Sequence, residues 1–249
     1  MAPVVDVNQN EFSMGIDAGE VKLDHPDERL KDYRTIQGML GWRSYGKQNK
    51  VRSFNLSYGS ASDKPFDDAQ NTVASANYLH QTSERWWVAV NWSNNRNFAN
   101  NIPIPGFFYV SRASREETLL LGLPFVFWRK RFDNGFGYQM LNFFPWNHQL
   151  EGSYSWKPFH QIAIAFEHRP QQFLTDDRLN REERFFFVEQ KLSLIAQGAI
   201  IPFVFQWRVE AGHAFNRRVF EAENFSQEKR YDLALGDANF LSGQLTSYF

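Results

Sequence analysis

The chain has 249 residues, a formal net charge of −1, no cysteine and 17% aromatic residues, with a mean hydropathy of −0.52. A near-neutral charge without a long basic run argues against a nucleic-acid partner, and the missing cysteines exclude disulfides, thiolate metal sites and cysteine nucleophiles. The longest apolar stretch, Leu119 to Trp128, has half the length of a membrane-spanning helix and contains Pro124, which excludes a helical membrane protein.

The first residues, "MAPVVD", are typical of a start methionine placed before a mature N-terminus. We therefore expect an exported protein whose signal peptide is absent from this chain, with residues 1–10 as an N-terminal tail of a single domain, 1–249.

Apolar residues then recur at every second position, which is the strand pattern. In "FSMGIDAG" the alternate positions Phe12 to Ala18 are apolar and those between them are not. The same split returns in "SFNLSY", "QLEGSYSW", "QIAIAFEHR" and "FVFQWRVEAGHAFN". About twelve strands are predicted, with ten or eight as alternatives: 11–20, 33–46, 50–60, 71–81, 85–96, 117–131, 136–144, 149–156, 160–169, 184–196, 202–216 and 239–249.

Strand 117–131 is the least regular of the twelve. Leu120, Val126 and Trp128 interrupt the polar side of the alternation. Pro124 cannot donate a ladder hydrogen bond, so it predicts a bulge or a local break.

The predicted connections alternate in length. Tight turns fall at "GKQN", "TSE", "DNG", "KPF" and "GAII", and longer polar links at 21–32, 61–70, 97–116, 145–148, 170–183 and 217–238. This alternation is typical of outer-membrane barrels, with short periplasmic turns and longer extracellular loops. Closure also removes the open edges of a large antiparallel sheet, so we expect an all-β, closed transmembrane barrel with both termini in the periplasm.

The positions of the aromatic residues indicate that the apolar side of the strands faces lipid. Trp86 and Trp92 share one side of a strand with Val88 and Val90 between them. Their separation is about 20 Å along the strand, or about 15 Å vertically at a tilt near 40°, which is somewhat less than the apolar membrane band of about 25 Å. The expected lipid-facing residues are Trp86, Trp92, Tyr154, Trp156, Phe166, Phe203, Phe205, Trp207 and Phe249. A soluble barrel or sandwich with a phenylalanine-rich core is the alternative.

The last segment, "FLSGQLTSYF", places Leu241, Leu245 and Phe249 on one side and ends on an aromatic residue. It resembles the C-terminal strand of bacterial outer-membrane proteins, which implies the barrel-assembly machinery as a partner.

Residues 117–249 resemble an uncharacterised family of Gram-negative outer-membrane β-barrel proteins. The resemblance rests on "LGLPFVFWRKR", "ERFFFVEQKLSL", "WRVEAGHAFNRRVFEAE" and "LGDANFLSGQLTSYF". It implies a barrel in the bacterial outer membrane and no known activity.

The polar side of the strands is expected to line the lumen. Both charge signs occur there, and charges in such a place are tolerated when paired. An ion-pair network that fills the lumen is favoured over a polar channel for small solutes. The predicted lumen-lining residues are Asp17, Gln37, Asn55, Asn77, Asn91, Trp87, Glu151, Glu167, Arg169, Glu189, Lys191, Gln206, Arg208 and Glu210.

Small residues on the apolar side leave flat patches where another protein can pack closely. Ala18, Gly38, Ala74 and Ala76, with Gly152 further along the chain, predict a homo-oligomer that associates through the first four strands. Small residues facing lipid are the alternative.

No pattern predicts chemistry. The six histidines lack metal-site spacing and lack a serine two residues later, as a lipid A deacylase would have. A serine–histidine pair assembled from distant strands is left open. The run "DDRLNREER", 176–184, is interpreted as a solvated loop tip rather than a cation or lipopolysaccharide site.

These patterns predict a non-enzymatic barrel that organises membrane lipid, lipopolysaccharide or neighbouring proteins, without metal or cofactor. A passive porin-like channel is the second hypothesis, and an enzyme acting on outer-membrane lipid the third.

Overall fold

The computed structural model of the protein describes residues 10–22, 30, 32–46, 50–96, 99, 101–111, 114, 116–143, 146–157, 159–176, 178, 180–201, 205–225 and 229–247. Phe203 and Phe249, two predicted lipid-facing residues, lie outside these ranges.

The described chain is all-β, with one short 3-10 helix at Ala69–Asn71 and no α-helix in the ranges given above. The apolar alternation therefore predicted the all-β class correctly. The strands are β1 Asn10–Val21, β2 Tyr33–Tyr45, β3 Val51–Ser62, β4 Thr72–Gln81, β5 Trp86–Ser93, β6 Ile104–Ser111, β7 Glu117–Leu123, β8 Phe125–Arg131, β9 Phe136–Phe143, β10 Asn147–Lys157, β11 His160–His168, β12 Gln171–Phe173, β13 Arg184–Ile201, β14 Phe205–Ala222, β15 Tyr231–Ala234 and β16 Ala238–Ser247.

The sixteen strands form one antiparallel sheet in which most strands pair with their sequence neighbours. Both β11 and β12 pair with β13, and both β15 and β16 pair with β14, so the path through the sheet has fourteen positions. Within the described residues β1 pairs only with β2 and β16 only with β14, so the sheet is not closed.

The predicted count of about twelve strands is too low by four, because the links 170–183 and 217–238 contain the short strands β12 and β15, and two further strands arise between 97 and 131. The link 97–116 contains β6, and the single strand 117–131 is two antiparallel strands, β7 and β8, with Leu121 paired to Val126. Pro124 therefore marks a chain reversal rather than a bulge. Proline has no backbone N–H to donate to a neighbouring strand. A turn between two strands tolerates it, because no ladder hydrogen bond is needed there.

Consecutive antiparallel strands place their connections alternately at two ends of the ladder. One end, here called the turn end, carries the short links 46–50, 82–85, 112–116, 132–135, 158–159 and 202–204. The other, the loop end, carries 22–32, 63–71, 94–103, 174–183 and 223–230, together with the short links at 124 and 144–146. The predicted turn at "GAII" lies inside β13 instead, and the chain turns just after it.

The chain divides into two compact units. The first comprises Met1–Phe108, Gln171–Phe186 and Phe220–Asp232, and the second comprises Tyr109–Pro170, Phe187–Val219 and Leu233–Phe249. The prediction of a single domain stays a prediction.

Aromatic side chains form the core of the first unit. Tyr33 is fully buried, and its ring stacks on Phe173 and Phe185 with centroids 4.8 and 4.5 Å away. Phe186 and Phe220 stack at 5.0 Å as a second group. Such pairs add about 0.5–1.5 kcal/mol each beyond the area that they bury.

The second unit has a small core of Ala163, Ala165 and Ile195, contributed by β11 and β13. Ala163 pairs directly with Ile195 across the two strands. Because paired residues share a face of the sheet, these three side chains lie on the same face as the predicted lumen-lining residues Glu167 and Lys191, which also pair.

Candidate functional site

On β11 and β13 the two faces differ in exposure, and the apolar face is the exposed one. On β11 and β13, Ile164 and Leu194 are 62% and 60% exposed, whereas Ala165 and Ile195 on the opposite face are 5% and 1% exposed. A soluble β protein has the opposite arrangement, since its apolar face forms the core.

In the first unit, polar rows bound the apolar face at both ends. Asn10 at the turn end accepts a hydrogen bond from the Trp42 indole at 3.3 Å. Glu20 at the loop end forms an ion pair with Arg34, N to O 3.0 Å. The ten residue steps from Asn10 to Glu20 span about 33 Å along β1, or about 25 Å vertically at a strand tilt near 40°.

Between these rows the paired positions of β1 to β4 are largely apolar. The row nearest the turn end is aromatic and includes Phe12, Trp42, Phe54 and Tyr78, which lie in one register line. Aromatic side chains with a polar edge are typical of the boundary between lipid and water.

The second unit repeats this arrangement over a shorter span. On β11 the exposed face begins at His160 and ends at His168, which corresponds to about 20 Å vertically by the same arithmetic. His168 stacks near His148, with ring centroids 6.1 Å apart, and His148 Nδ1 is hydrogen-bonded to Asn142 Oδ1 at 3.0 Å. These three residues occupy one register line with Gln190 and form a polar row at the loop end.

The predicted lipid-facing residues differ in how exposed their side chains are. Trp86, Tyr154 and Trp156 are exposed. Trp92 is half-buried and pairs with Ala76, so it lies within the apolar region rather than at its boundary. Phe166, Phe205 and Trp207 are also half-buried.

The predicted lumen-lining residues of the second unit form ion pairs. Lys191 Nζ lies 2.6 Å from Glu189, a residue only 7% exposed, and Arg208 lies 3.1 Å from Glu210. Glu151 accepts a hydrogen bond from Gln161 at 3.0 Å. Gln206 and Glu167 are half-buried, and Arg169 is exposed just after β11.

Sequence reasoning missed one member of this network. Arg217 Nε lies 3.4 Å from Glu189, and its guanidinium is 5.5 Å from the Phe187 ring centroid. Asn216 has a φ of 50°, a left-handed conformation that asparagine tolerates better than most residues. This irregularity shifts the alternation of side chains along β14 by one residue, so that Arg217 lies on the charged face. The sequence did not reveal this, because the predicted strand ended at 216.

In the first unit the polar face carries one ion pair, between Arg43 and Glu11 at 3.5 Å, and a row of amides. Asn55, Asn77 and Asn91 are directly paired across β3, β4 and β5. Asp17 pairs with Gln37 across β1 and β2.

Trp87 lies on this polar face near the turn end, as its position in the alternation predicted. Its ring stacks on Phe108, with centroids 6.0 Å apart and planes inclined by 10°. Phe108 is itself buried. Trp86, the preceding residue, is on the exposed face.

We expect Trp87→Ala to lower the free energy of unfolding by about 2 kcal/mol, because a half-buried indole and its stacking contact are lost. Thermal melting in detergent measures the change, and Trp86→Ala is the matched control, with a smaller expected loss. Equal losses in the two variants would contradict the assignment of the two faces.

A second feature that sequence reasoning missed links the loops of the first unit. The Arg184 guanidinium, in a residue 4% exposed, donates to Asn95 Oδ1 at 3.1 Å and to the Asn94 carbonyl at 2.8 Å. It also donates to the carbonyls of Arg181 and Glu183 at 2.7 and 2.9 Å. Link 94–103 is thereby tied to the end of link 174–183.

Arg178 ties the same loop to link 63–71. It donates to Asn71 Oδ1 at 2.8 Å and to the carbonyls of Gln70 and Thr175 at 2.6 and 2.7 Å. Burial lowers the pKa of the Arg178 guanidinium, and the hydrogen-bonded Asp176 carboxylate raises the pKa of Lys64 in the same group of loops. The run 176–184, predicted to be a solvated tip, thus contains two anchoring arginines. We call Arg178, Arg184 and their partners the loop interlock.

The second unit contains a cavity of ≈ 750 Å³ near the turn end. Its lining comes from the ends of β8, β10 and β13, the starts of β11 and β14, and β16. We call it the turn-end cavity; its lining includes Arg131, Lys157, His160, Gln161, Gln197, Gln206, Trp207, Arg208 and Gln244.

The predicted small-residue patch lies on the apolar face of β1 to β4. Gly38 pairs with Tyr58, which pairs with Ala74, and a Cβ at Gly38 would meet only the Tyr58 carbonyl, at 3.9 Å. Ala18 is exposed and Ala76 is half-buried. The residues share a surface, while the predicted association through it stays a prediction.

No cluster of three or more histidine, cysteine, aspartate or glutamate side chains suited to a metal occurs among the described residues. His148 Nδ1 is hydrogen-bonded to Asn142 Oδ1 and His213 Nδ1 to Asn239 Oδ1, and His213 Nε2 lies 3.7 Å from the Asp237 carboxylate.

In the described part of the chain, no helix has the length and apolar character needed to span a bilayer. No protein-family model, curated protein or solved structure matches the sequence.

Proposed function

We propose that the chain is a closed, non-catalytic β-barrel of the bacterial outer membrane, whose interior is largely filled by its own paired polar side chains. The observation that carries this proposal is the exposed apolar face bounded by polar rows about 20–25 Å apart, which approaches the height of the lipid-facing band of outer-membrane barrels.

Closure pairs β1 with β16. The sheet path has fourteen positions, an even number, so its first and last members run in opposite directions and are suited to antiparallel pairing. Closing the sheet satisfies the backbone groups of both edges, which a bilayer requires of any strand that crosses it. In this arrangement the turn end faces the periplasm and the loop end faces outside.

The ion pairs Glu189–Lys191 and Arg208–Glu210, with Arg217, support a filled interior. Opposite charges that bond each other leave less charge available to a passing solute. The role proposed is structural: the barrel organises surrounding lipid, lipopolysaccharide or neighbouring copies of itself. The small-residue patch of Ala18, Gly38, Ala74 and Ala76 is the surface proposed for self-association, and the C-terminal strand is the segment proposed to engage the assembly machinery.

The test is the dependence of the purified protein on detergent. We expect it to aggregate when detergent is removed and to float with phosphatidylcholine vesicles in a density gradient. A monodisperse protein in buffer alone would show that the exposed apolar face is not a lipid-facing surface. Native mass spectrometry of the detergent-solubilised protein then reports self-association directly, and a monomer alone would remove that part of the proposal.

A passive channel is the second candidate, and the turn-end cavity is the observation that favours it. Planar-bilayer recordings separate the two: a filled interior predicts conductance no higher than that of a heat-denatured control. Stable single-channel steps would replace the filled interior with a channel.

A further inference from the structure

The turn-end cavity is unusual in its balance of charge. Three cations, Arg131, Lys157 and Arg208, line it, and the described residues of its lining include no aspartate or glutamate. The lining also includes four glutamines, Gln161, Gln197, Gln206 and Gln244, together with Ser155, Phe159, His160 and Trp207. A volume of ≈ 750 Å³ is in the ordinary range of small-molecule sites.

The nearest carboxylates are already engaged by lining residues. Arg208 bonds Glu210 Oε2 at 3.1 Å and Gln197 Oε1 at 3.2 Å, and Gln161 donates to Glu151 Oε1 at 3.0 Å. These contacts hold the inner wall in place and compensate Arg208. The other two cations of the lining, Arg131 and Lys157, have no part in these contacts.

Arg131 and Lys157 supply the uncompensated charge. Both are exposed side chains at the turn end, and within the described ranges neither forms an ion pair. Two cations that face a partly enclosed space attract an anion more strongly than they would in open water, because the surrounding protein lowers the local dielectric constant.

We propose that the turn-end cavity binds a small solute that carries one oxyanion, phosphate or carboxylate, together with several hydroxyl groups. Arg131 and Lys157 bind the oxyanion, since both donate charge-assisted hydrogen bonds. The glutamine amides offer donors and acceptors in equal measure, which matches hydroxyl groups.

This site goes beyond the proposed structural role and does not depend on it. Its position on the periplasmic side rests on the barrel proposal, but the binding chemistry rests only on the residues of the second unit. The experiment is therefore done in whichever condition, detergent or buffer, keeps the protein monodisperse.

Isothermal titration calorimetry with four probes tests the proposal: glucose 6-phosphate, gluconate, inorganic phosphate and glucose. We expect glucose 6-phosphate or gluconate to bind at least about tenfold more tightly than glucose, because one charge-assisted hydrogen bond is worth about that factor. The stronger of the two identifies phosphate or carboxylate as the preferred group. Inorganic phosphate, which lacks hydroxyl groups, is expected to bind more weakly than the stronger of the two.

The double variant Arg131→Gln/Lys157→Gln is expected to weaken binding of the preferred probe by at least about tenfold. Arg52→Gln, which removes an exposed cation outside the cavity, is the matched control and is expected to leave the affinity unchanged. Circular dichroism confirms that each variant is folded. Glucose binding as tightly as both anions, unchanged affinity in the double variant, or no heat with any probe would each overturn the proposal.

Discussion

An arginine placed at the centre of the exposed apolar face is expected to prevent insertion into lipid. Ile164 lies midway along that face of β11, is 62% exposed and pairs with Leu194. In a bilayer, arginine at the midplane of a barrel costs about 2–4 kcal/mol. In water, a substitution at an exposed position changes stability by only about 0.5 kcal/mol in either direction. Ile164→Arg therefore distinguishes a lipid-facing surface from a water-facing one.

The measurement is the yield of folded protein after dilution from urea into phosphatidylcholine vesicles, read from its altered gel mobility. Leu194→Arg is expected to fail in the same way, because it occupies the same register line. The control is Gly236→Arg, an exposed loop position between β15 and β16 where an added Cβ meets nothing within 4 Å. Insertion of Ile164→Arg at the wild-type yield would contradict a lipid-facing role for this surface.

The strands could be predicted closely because their signal is local. Along β1 the predicted bounds, 11–20, differ from Asn10–Val21 by one residue at each end. On β5, Trp86 is exposed and its neighbour Trp87 is half-buried, because consecutive residues of a strand point to opposite faces. Period-2 alternation needs no knowledge of the neighbouring strands.

Strand β6 was missed because it lacks that signal. "IPGFFYVS" has proline and glycine as its second and third residues, and Phe107, Phe108 and Tyr109 place aromatic residues on both sides. The buried positions Gly106, Phe108 and Val110 still alternate, but only the structure distinguishes them from Phe107, which is exposed. Consecutive aromatic residues remove the polar–apolar alternation, so a strand that contains them is not recognised from the sequence.

Of the candidate sites, only the one that depends on a single strand could be predicted from the sequence. Glu189 and Lys191 stand two residues apart on one strand, so their pairing follows from the alternation alone. The turn-end cavity depends on the heights at which six strands end, and the loop interlock joins residues about ninety positions apart in sequence. The turn-end cavity and the loop interlock depend on strand register and on contacts between residues that are far apart in the chain. The alternation of residues in one sequence does not reveal either.

The loop interlock is expected to contribute strongly to the stability of the first unit. Arg184→Met retains much of the side-chain volume but removes hydrogen bonds to Asn94, Asn95, Arg181 and Glu183. Buried carbonyls that lose a charged donor cost about 1–3 kcal/mol each when water does not replace it, so we expect the free energy of unfolding to fall by about 3 kcal/mol. Arg184→Lys keeps the charge but not the planar set of donors, and its loss is expected to be intermediate.

Thermal unfolding in detergent measures this loss, and limited proteolysis locates it. Because Arg184 ties link 94–103 to link 174–183, cleavage in Arg184→Met is expected within these two links before any strand is cut. Arg52→Met, which removes an exposed arginine from β3, is the matched control and should melt within about 0.5 kcal/mol of the wild type. If Arg184→Met melts with that control and resists protease equally, the hydrogen bonds of Arg184 do not hold the loops together, and the packing of Tyr33 against Phe173 and Phe185 must do so instead.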